Sequence, residues 1–423
     1  MKASTVFTPG AFPQHTYVSR GEHSNEQTLR DALDTPGQIV SLVGPSKSGK
    51  TVLVEKVVGQ DFLITVTGAG IRSPDDIWNR ALDWMDVPDA VVEAKTSTQG
   101  IEAGVEIGAE GGLPGLAKAQ ATGNTTGSIE NQQTTSTTVN RRGLERVVRD
   151  IANSDFVLLV DDFHYMPRDV QSEAAKQLKE AVRKGVKVCT AAVVHRGDDL
   201  IRSNPELRGR VRAVDLTYWN QTDLRSIAET GFSLLGVRVD DAVLNSLVAE
   251  AAGSPQLMQL LCLNFCFVAN VRETQLTHKT LTRTDIDLSR VYEQASAATD
   301  FRSLVDVLDA GPRTRGRERR IYDFSDSTRG DVYRCVLKAI SADPPRLSFA
   351  YDELLKRCAK VVVDDPPVGS SVTSTCLHMS KLALEKFPKE RAIDWDESKD
   401  ILDLPDPYLL FYLRWSQRLR ETD

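Results

Sequence analysis

Short apolar runs alternate with amphipathic stretches along the first half of this chain. Residues 39–43 (IVSLV), 62–66 (FLITV), 156–160 (FVLLV) and 186–194 (VKVCTAAVV) end in polar or turn-forming residues, the pattern of buried strands. Residues 50–58 and 73–85 (SPDDIWNRALDWM) carry apolar positions at helical spacing. Further on, DVYRCVLKAISA, YDELLKRCAK and TSTCLHMSKLALEKF repeat apolar residues three and four apart and predict three more helices. AIDWDESKDILDL then reads as a hairpin, and PDPYLLFYLRWSQRLR as a closing helix with Pro407 near its start.

Two of the apolar runs end in residues that carry chemistry. After 39–43 comes Gly44-Pro45-Ser46-Lys47-Ser48-Gly49-Lys50-Thr51, then Val52, which fits GxxxxGK[ST] between a strand and a helix. Glycines there let backbone N–H groups turn inward around phosphate oxygens; the lysine brings a cation to them, and the Thr51 hydroxyl suits magnesium. The run 156–160 leads into Asp161 and Asp162. Neighbouring side chains on a strand point to opposite faces, so the two carboxylates have different tasks. Asp161 is the candidate for holding magnesium, and Asp162 for orienting or deprotonating an attacking water.

With these motifs in place the chain resembles the P-loop NTPases that have an extra strand between the two motifs. More narrowly, it resembles the STAND and origin-recognition branches of the AAA+-like ATPases, over residues 15–290. Tyr17, Val18 and Arg20 match the family's base-contacting lead, and His195 and Arg196 fall where its γ-phosphate sensor lies. Arg208, Arg210 and Arg212 lie where it has arginines near a subunit boundary, and Gly253-Ser254-Pro255 matches the GxP turn opening a lid helix. The resemblance implies a three-layer α/β core with a helical lid, ATP and Mg2+ as cofactors, and assembly controlled by nucleotide. Lys50, Asp162 and Arg196 are its implied catalytic residues; Thr51 and Asp161 are the implied metal ligands. Many relatives carry Glu where this chain has Asp162. The carboxylate then sits ~1.5 Å further back, a misplacement that can lower a rate about a hundredfold, so slow turnover is expected. A role in prokaryotic defence or signalling is implied by the resemblance alone.

The sequence divides into a core over 1–216 with a Gly/Thr-rich insertion at 94–140, a lid over 217–296, a basic linker over 297–325 and a last unit over 326–423. The insertion lacks aromatic residues, a poor composition for a packed core. A disordered loop is the expectation, with a hairpin from IEAGVEIG and SIENQQTTSTTV as the alternative. The linker holds Arg313, Arg315, Arg317, Arg319 and Arg320, open to contact with a nucleic-acid backbone. Three helices and a hairpin describe a winged helix–turn–helix, and DPYLLFYLRW resembles the ends of origin-recognition-like prokaryotic ATPases. Its third helix offers His378, Lys381 and Lys386 but no Arg, which favours contact with a protein over reading of bases.

Composition narrows the classes. A formal charge of −7 gives no global reason for nucleic-acid binding. The six cysteines are scattered without a CxxC pair, so buried thiols are expected. No apolar run near eighteen residues and no leader-like N-terminus occur, which leads to a cytoplasmic expectation without membrane contact. Neither HExxH nor GxSxG is present, so the output of an ATP-driven switch is expected in an assembly of this chain and in a protein partner or effector.

Overall fold

The computed structural model describes residues 1–20, 25–87, 90–95, 135–140, 143–193, 199–313, 318–388 and 392–420. After α1 (Ala3–Val6) and α2 (Asn25–Leu33), the core runs β1 (Ile39–Val43), α3 (Lys50–Val58), β2 (Leu63–Thr67) and α4 (Asp75–Trp84). The strands β3 (Ala90–Lys95) and β4 (Thr135–Asn140) precede α5 (Gly143–Ile151), β5 (Val157–Asp161), α6 (Arg168–Arg183), β6 (Lys187–Ala192), α7 (Asp199–Ser203) and β7 (Val211–Asp215). Five strands form one parallel sheet in the order β2-β5-β6-β1-β7. The strands are apolar on both faces because both faces are covered. Ile39, Leu158, Val160 and Val188 pack with α4, α5 and α6. Their neighbours Val40, Leu42, Leu159 and Cys189 pack with Leu29 of α2 and with Leu53 and Val54 of α3. This alternation makes three layers, and the parallel order brings the ends of β1 and β5 to one edge, with β6 between them.

The insertion begins and ends as a ladder. β3 and β4 pair antiparallel, Ala90 opposite Asn140 and Lys95 opposite Thr135. β4 overlaps the end of SIENQQTTSTTV and pairs with 90–95; IEAGVEIG lies outside the described residues.

The lid comprises α8 (Gln221–Leu234), β8 (Val237–Val239), α9 (Asp241–Glu250), α10 (Pro255–Val268), β9 (Lys279–Leu281) and α11 (Leu288–Ala297). Asn220, Asp240, Ser254 and Asp287 cap its four helices by accepting backbone N–H bonds, each worth about 1 kcal/mol. Residues 3–7, grouped with the core by the sequence division, pack here instead. Ala3, Val6 and Phe7 are spaced to share one face of a helical turn and join the lid's apolar cluster, Phe7 edge-on to Phe232 at 5.2 Å.

The last unit contains α12 (Arg302–Ala310), β10 (Tyr322–Asp323), β11 (Arg329–Gly330), α13 (Val332–Ser341), β12 (Ser348–Ala350), α14 (Tyr351–Val361), α15 (Gly369–Lys386), β13 (Asp394–Asp396), β14 (Ile401–Asp403) and α16 (Pro407–Trp415). The three strands β12-β14-β13 make an antiparallel sheet. Part of the stretch read as linker is helix: Leu304, Val305 and Leu308 of α12 enter the C-terminal core. Arg319 donates to Asp331 at 2.6 Å and stacks on Tyr333, and Arg320 pairs with Asp365, so both are committed within the chain. α16 straddles two cores, Leu410 and Leu413 in the C-terminal one and Phe411 in the lid's. All six cysteines are buried and free. No helix among the described residues is long and apolar enough to cross a membrane.

Candidate nucleotide site

The loop between β1 and α3 folds as the glycine spacing requires. Gly49 sits at φ 91°, in the left-handed region that only glycine enters without penalty, and α3 starts directly after it. Lys50 is buried, and its ammonium donates to the Gly44 and Pro45 carbonyls at 3.0 and 2.8 Å. Burial lowers its pKa, opposed by the nearby Asp161 and Asp162 carboxylates. The Ser48 hydroxyl is buried without a hydrogen-bond partner, an orphan polar group facing a loop built for anions.

Thr51, in the first turn of α3, donates its hydroxyl to Asp161 Oδ2 at 2.7 Å across the edge of the sheet. The other Asp161 oxygen accepts the Asp162 backbone N–H at 2.9 Å. Asp162 is not on the strand at all: at φ 54°, ψ 40° it turns the chain out of β5 into a 3-10 turn, Phe163–Tyr165. Burial and the neighbouring Asp161 raise the Asp162 pKa, against the pull of Lys50 and Lys47. Gly68, just past β2, locks this turn. Its N–H donates to the Asp161 carbonyl at 2.7 Å, and a Cβ there would meet the Asp162 carbonyl at 2.4 Å.

Ser48, Lys50, Thr51, Asp161 and Asp162 line a cleft of about 760 Å3, together with Tyr17, Val18, Arg20 and Pro255. Tyr17 donates to Glu26 at 2.6 Å, and burial raises its pKa, helped by that carboxylate. Ser254 ties α10 to the loop, its hydroxyl donating to the Lys47 carbonyl at 3.4 Å. Gly253 holds the turn before it by accepting the Trp219 N–H at 3.0 Å. The sequence reading missed Trp219. Its indole N–H donates to the Ser48 carbonyl at 3.0 Å, and the Arg20 guanidinium lies 4.6 Å above its ring. One side chain thus joins the lead, the phosphate loop and the lid. Only its position shortly after β7 could have signalled it, since no motif marks it. His195 and Arg196 lie outside the described residues, and Arg208, Arg210 and Arg212 are exposed near the edge strand β7.

The donor set fits a nucleotide and its magnesium. Thr51 and Asp161 present one hydroxyl and one carboxylate where the phosphates would lie, and magnesium is usually held by one or two carboxylates with phosphate and water. Among the described residues no three His, Cys, Asp or Glu side chains gather as a metal cage of their own.

A phosphate loop and an acidic strand end at the carboxyl edge of a parallel sheet, with one strand between them, define the P-loop NTPase fold. In structure the chain is similar to the Walker-type ATPase of Pyrococcus abyssi, with a TM-score of 0.51, 13% identity, and 94% of this chain and 96% of that one covered. It is also similar to the ORC2 protein of Aeropyrum pernix (TM-score 0.46, 13% identity, 97% and 95% covered). A further similarity is to Cdc6p of Pyrobaculum aerophilum (TM-score 0.41, 13% identity, 99% and 98% covered). No family profile and no curated protein matches the sequence. Likeness at this identity is one of fold, and the chemistry of the site rests on its own geometry.

Proposed function

We propose that this chain binds ATP with magnesium and hydrolyses it slowly, as a switch that changes its assembly state. The observation that carries the reading is the Thr51–Asp161 contact of 2.7 Å beside a buried Lys50 in a glycine-built loop. Bound magnesium would neutralise charge developing on the phosphates. Thr51 and Asp161 would hold it, Lys50 would exchange its loop carbonyls for phosphate oxygens, and the Ser48 hydroxyl would gain a partner. Asp162, which lines the cleft beside Asp161, accepts the proton of the attacking water. The stacked Arg20–Trp219 pair and the Ser254 tie carry occupancy of the loop to the lid. In this reading the exposed Arg208, Arg210 and Arg212 meet a neighbouring subunit.

Steady-state ATP hydrolysis tests the switch. The expected turnover of the isolated chain is below ~1 s−1, under the usual enzyme range. Fast turnover by a monomer would contradict it.

A further inference from the structure

The cleft has a wall that neither the phosphate loop nor the lid supplies. Pro405 and Asp406 of the C-terminal unit face it, beside Phe301 at the start of α12. Asp406 caps α16, accepting from the Tyr408 N–H at 2.9 Å. Two residues on, the Tyr408 ring lies under Lys47, whose ammonium is 5.8 Å from the ring centre. Lys47 is the exposed residue of the loop, and among the described residues its ammonium makes no hydrogen bond or ion pair. Burial raises the Asp406 pKa, opposed by its bond from the Tyr408 N–H and by Lys47.

The other end of α16 is held firmly. Arg414 donates to both Glu250 oxygens of α9 at 2.9 and 2.7 Å, with both side chains 8% exposed. Trp415 adds an indole N–H to the same carboxylate at 2.7 Å and packs against Tyr292 of the lid at 4.5 Å. The helix is therefore clamped to the lid at its C-terminal end, packs Phe411 and Tyr408 against the lid's apolar cluster, and touches the phosphate loop at its start through Lys47.

We propose that Lys47 is a phosphate-controlled tie: without nucleotide it holds the start of α16 against the loop, and a bound terminal phosphate takes its ammonium and frees that end. The inference rests on the nucleotide reading of the cleft. A cation over a partly exposed aromatic ring is a weak contact, whereas charge-assisted bonds to phosphate are roughly twice as strong as neutral ones, so phosphate wins. The freed start then pivots on the Glu250 clamp, and the C-terminal unit moves with it.

Amide hydrogen exchange on the full chain tests this, with and without a non-hydrolysable ATP analogue and magnesium. Ligand should slow the amides of residues 48–52 and speed those of Tyr408 and Leu409 about fivefold, within the range of a lost cation–ring contact. Lys47→Ala and Tyr408→Leu should each produce a similar increase at Leu409 without any ligand. Slowed loop amides with Tyr408 and Leu409 unchanged or slower would overturn the tie while leaving the nucleotide reading intact. So would two variants that exchange like the parent. Loop amides that do not respond to ligand would overturn the nucleotide reading and the tie together.

Discussion

Position 162 must satisfy two demands at once. The backbone turns left-handed there, a conformation that Asp tolerates better than Glu because its short polar side chain bonds locally. The same shortness holds the carboxylate back from the place a Glu would reach. Asp162→Glu should therefore speed hydrolysis, by up to about a hundredfold, while lowering stability by roughly 1 kcal/mol; phosphate release and thermal unfolding read the two effects separately. The charge is a burden in its own right. Because the folded-state pKa of Asp162 is raised, its protonated form stabilises the fold below the unfolded value of 3.8, and that contribution is lost as pH rises through the folded value. Asp162→Asn should raise the melting temperature at pH ~7 and lose the advantage near pH ~3.5, with no hydrolysis at either pH. The sequence showed both aspartates but not this turn, since nothing in FVLLVDDFHY marks where the strand stops. Gly68 and Trp219 were illegible for a related reason: each acts through contacts with residues far away in the chain.

Among the elements, the strands and long helices were readable because burial on one face or two leaves a period in the sequence. β1, β5 and β6 fall on the apolar runs, and the hairpin β13–β14 falls within AIDWDESKDILDL. The failures are short or set by tertiary partners. α1 has four residues and owes its place to the lid core, and α12 lay hidden beside a run of arginines. The pairing of α9 with α16 could not be read either, since Glu250 and Arg414 are 164 positions apart. That pair anchors the lid to the C-terminal unit, and removing Glu250 leaves the buried Arg414 with only the exposed Asp343 as counter-ion. Glu250→Ala should cost about 1–3 kcal/mol. Thermal unfolding would show it, and limited proteolysis should then cut between lid and C-terminal unit sooner than in the parent.

For the molecule as a whole, three packed units converge on one cleft, so its occupancy bears on the relation among them. The arginines of the basic stretch bear on partners as well: Arg319 and Arg320 serve internal ion pairs, which leaves less charge for a nucleic-acid backbone than their number in the sequence implied. The proposed switch assigns assembly to the exposed arginines near β7. Mass measurement in solution should show a larger species with ATP and magnesium than without, and Arg210→Glu with Arg212→Glu should prevent it.

All of this depends on the loop holding a nucleotide. Titration calorimetry of the full chain with ATP and magnesium, beside Lys50→Ala, is the most direct test. The expected result is saturable binding by the parent at one ATP per chain and none by the variant. Absence of binding by the parent, or equally tight binding by Lys50→Ala, would contradict the account.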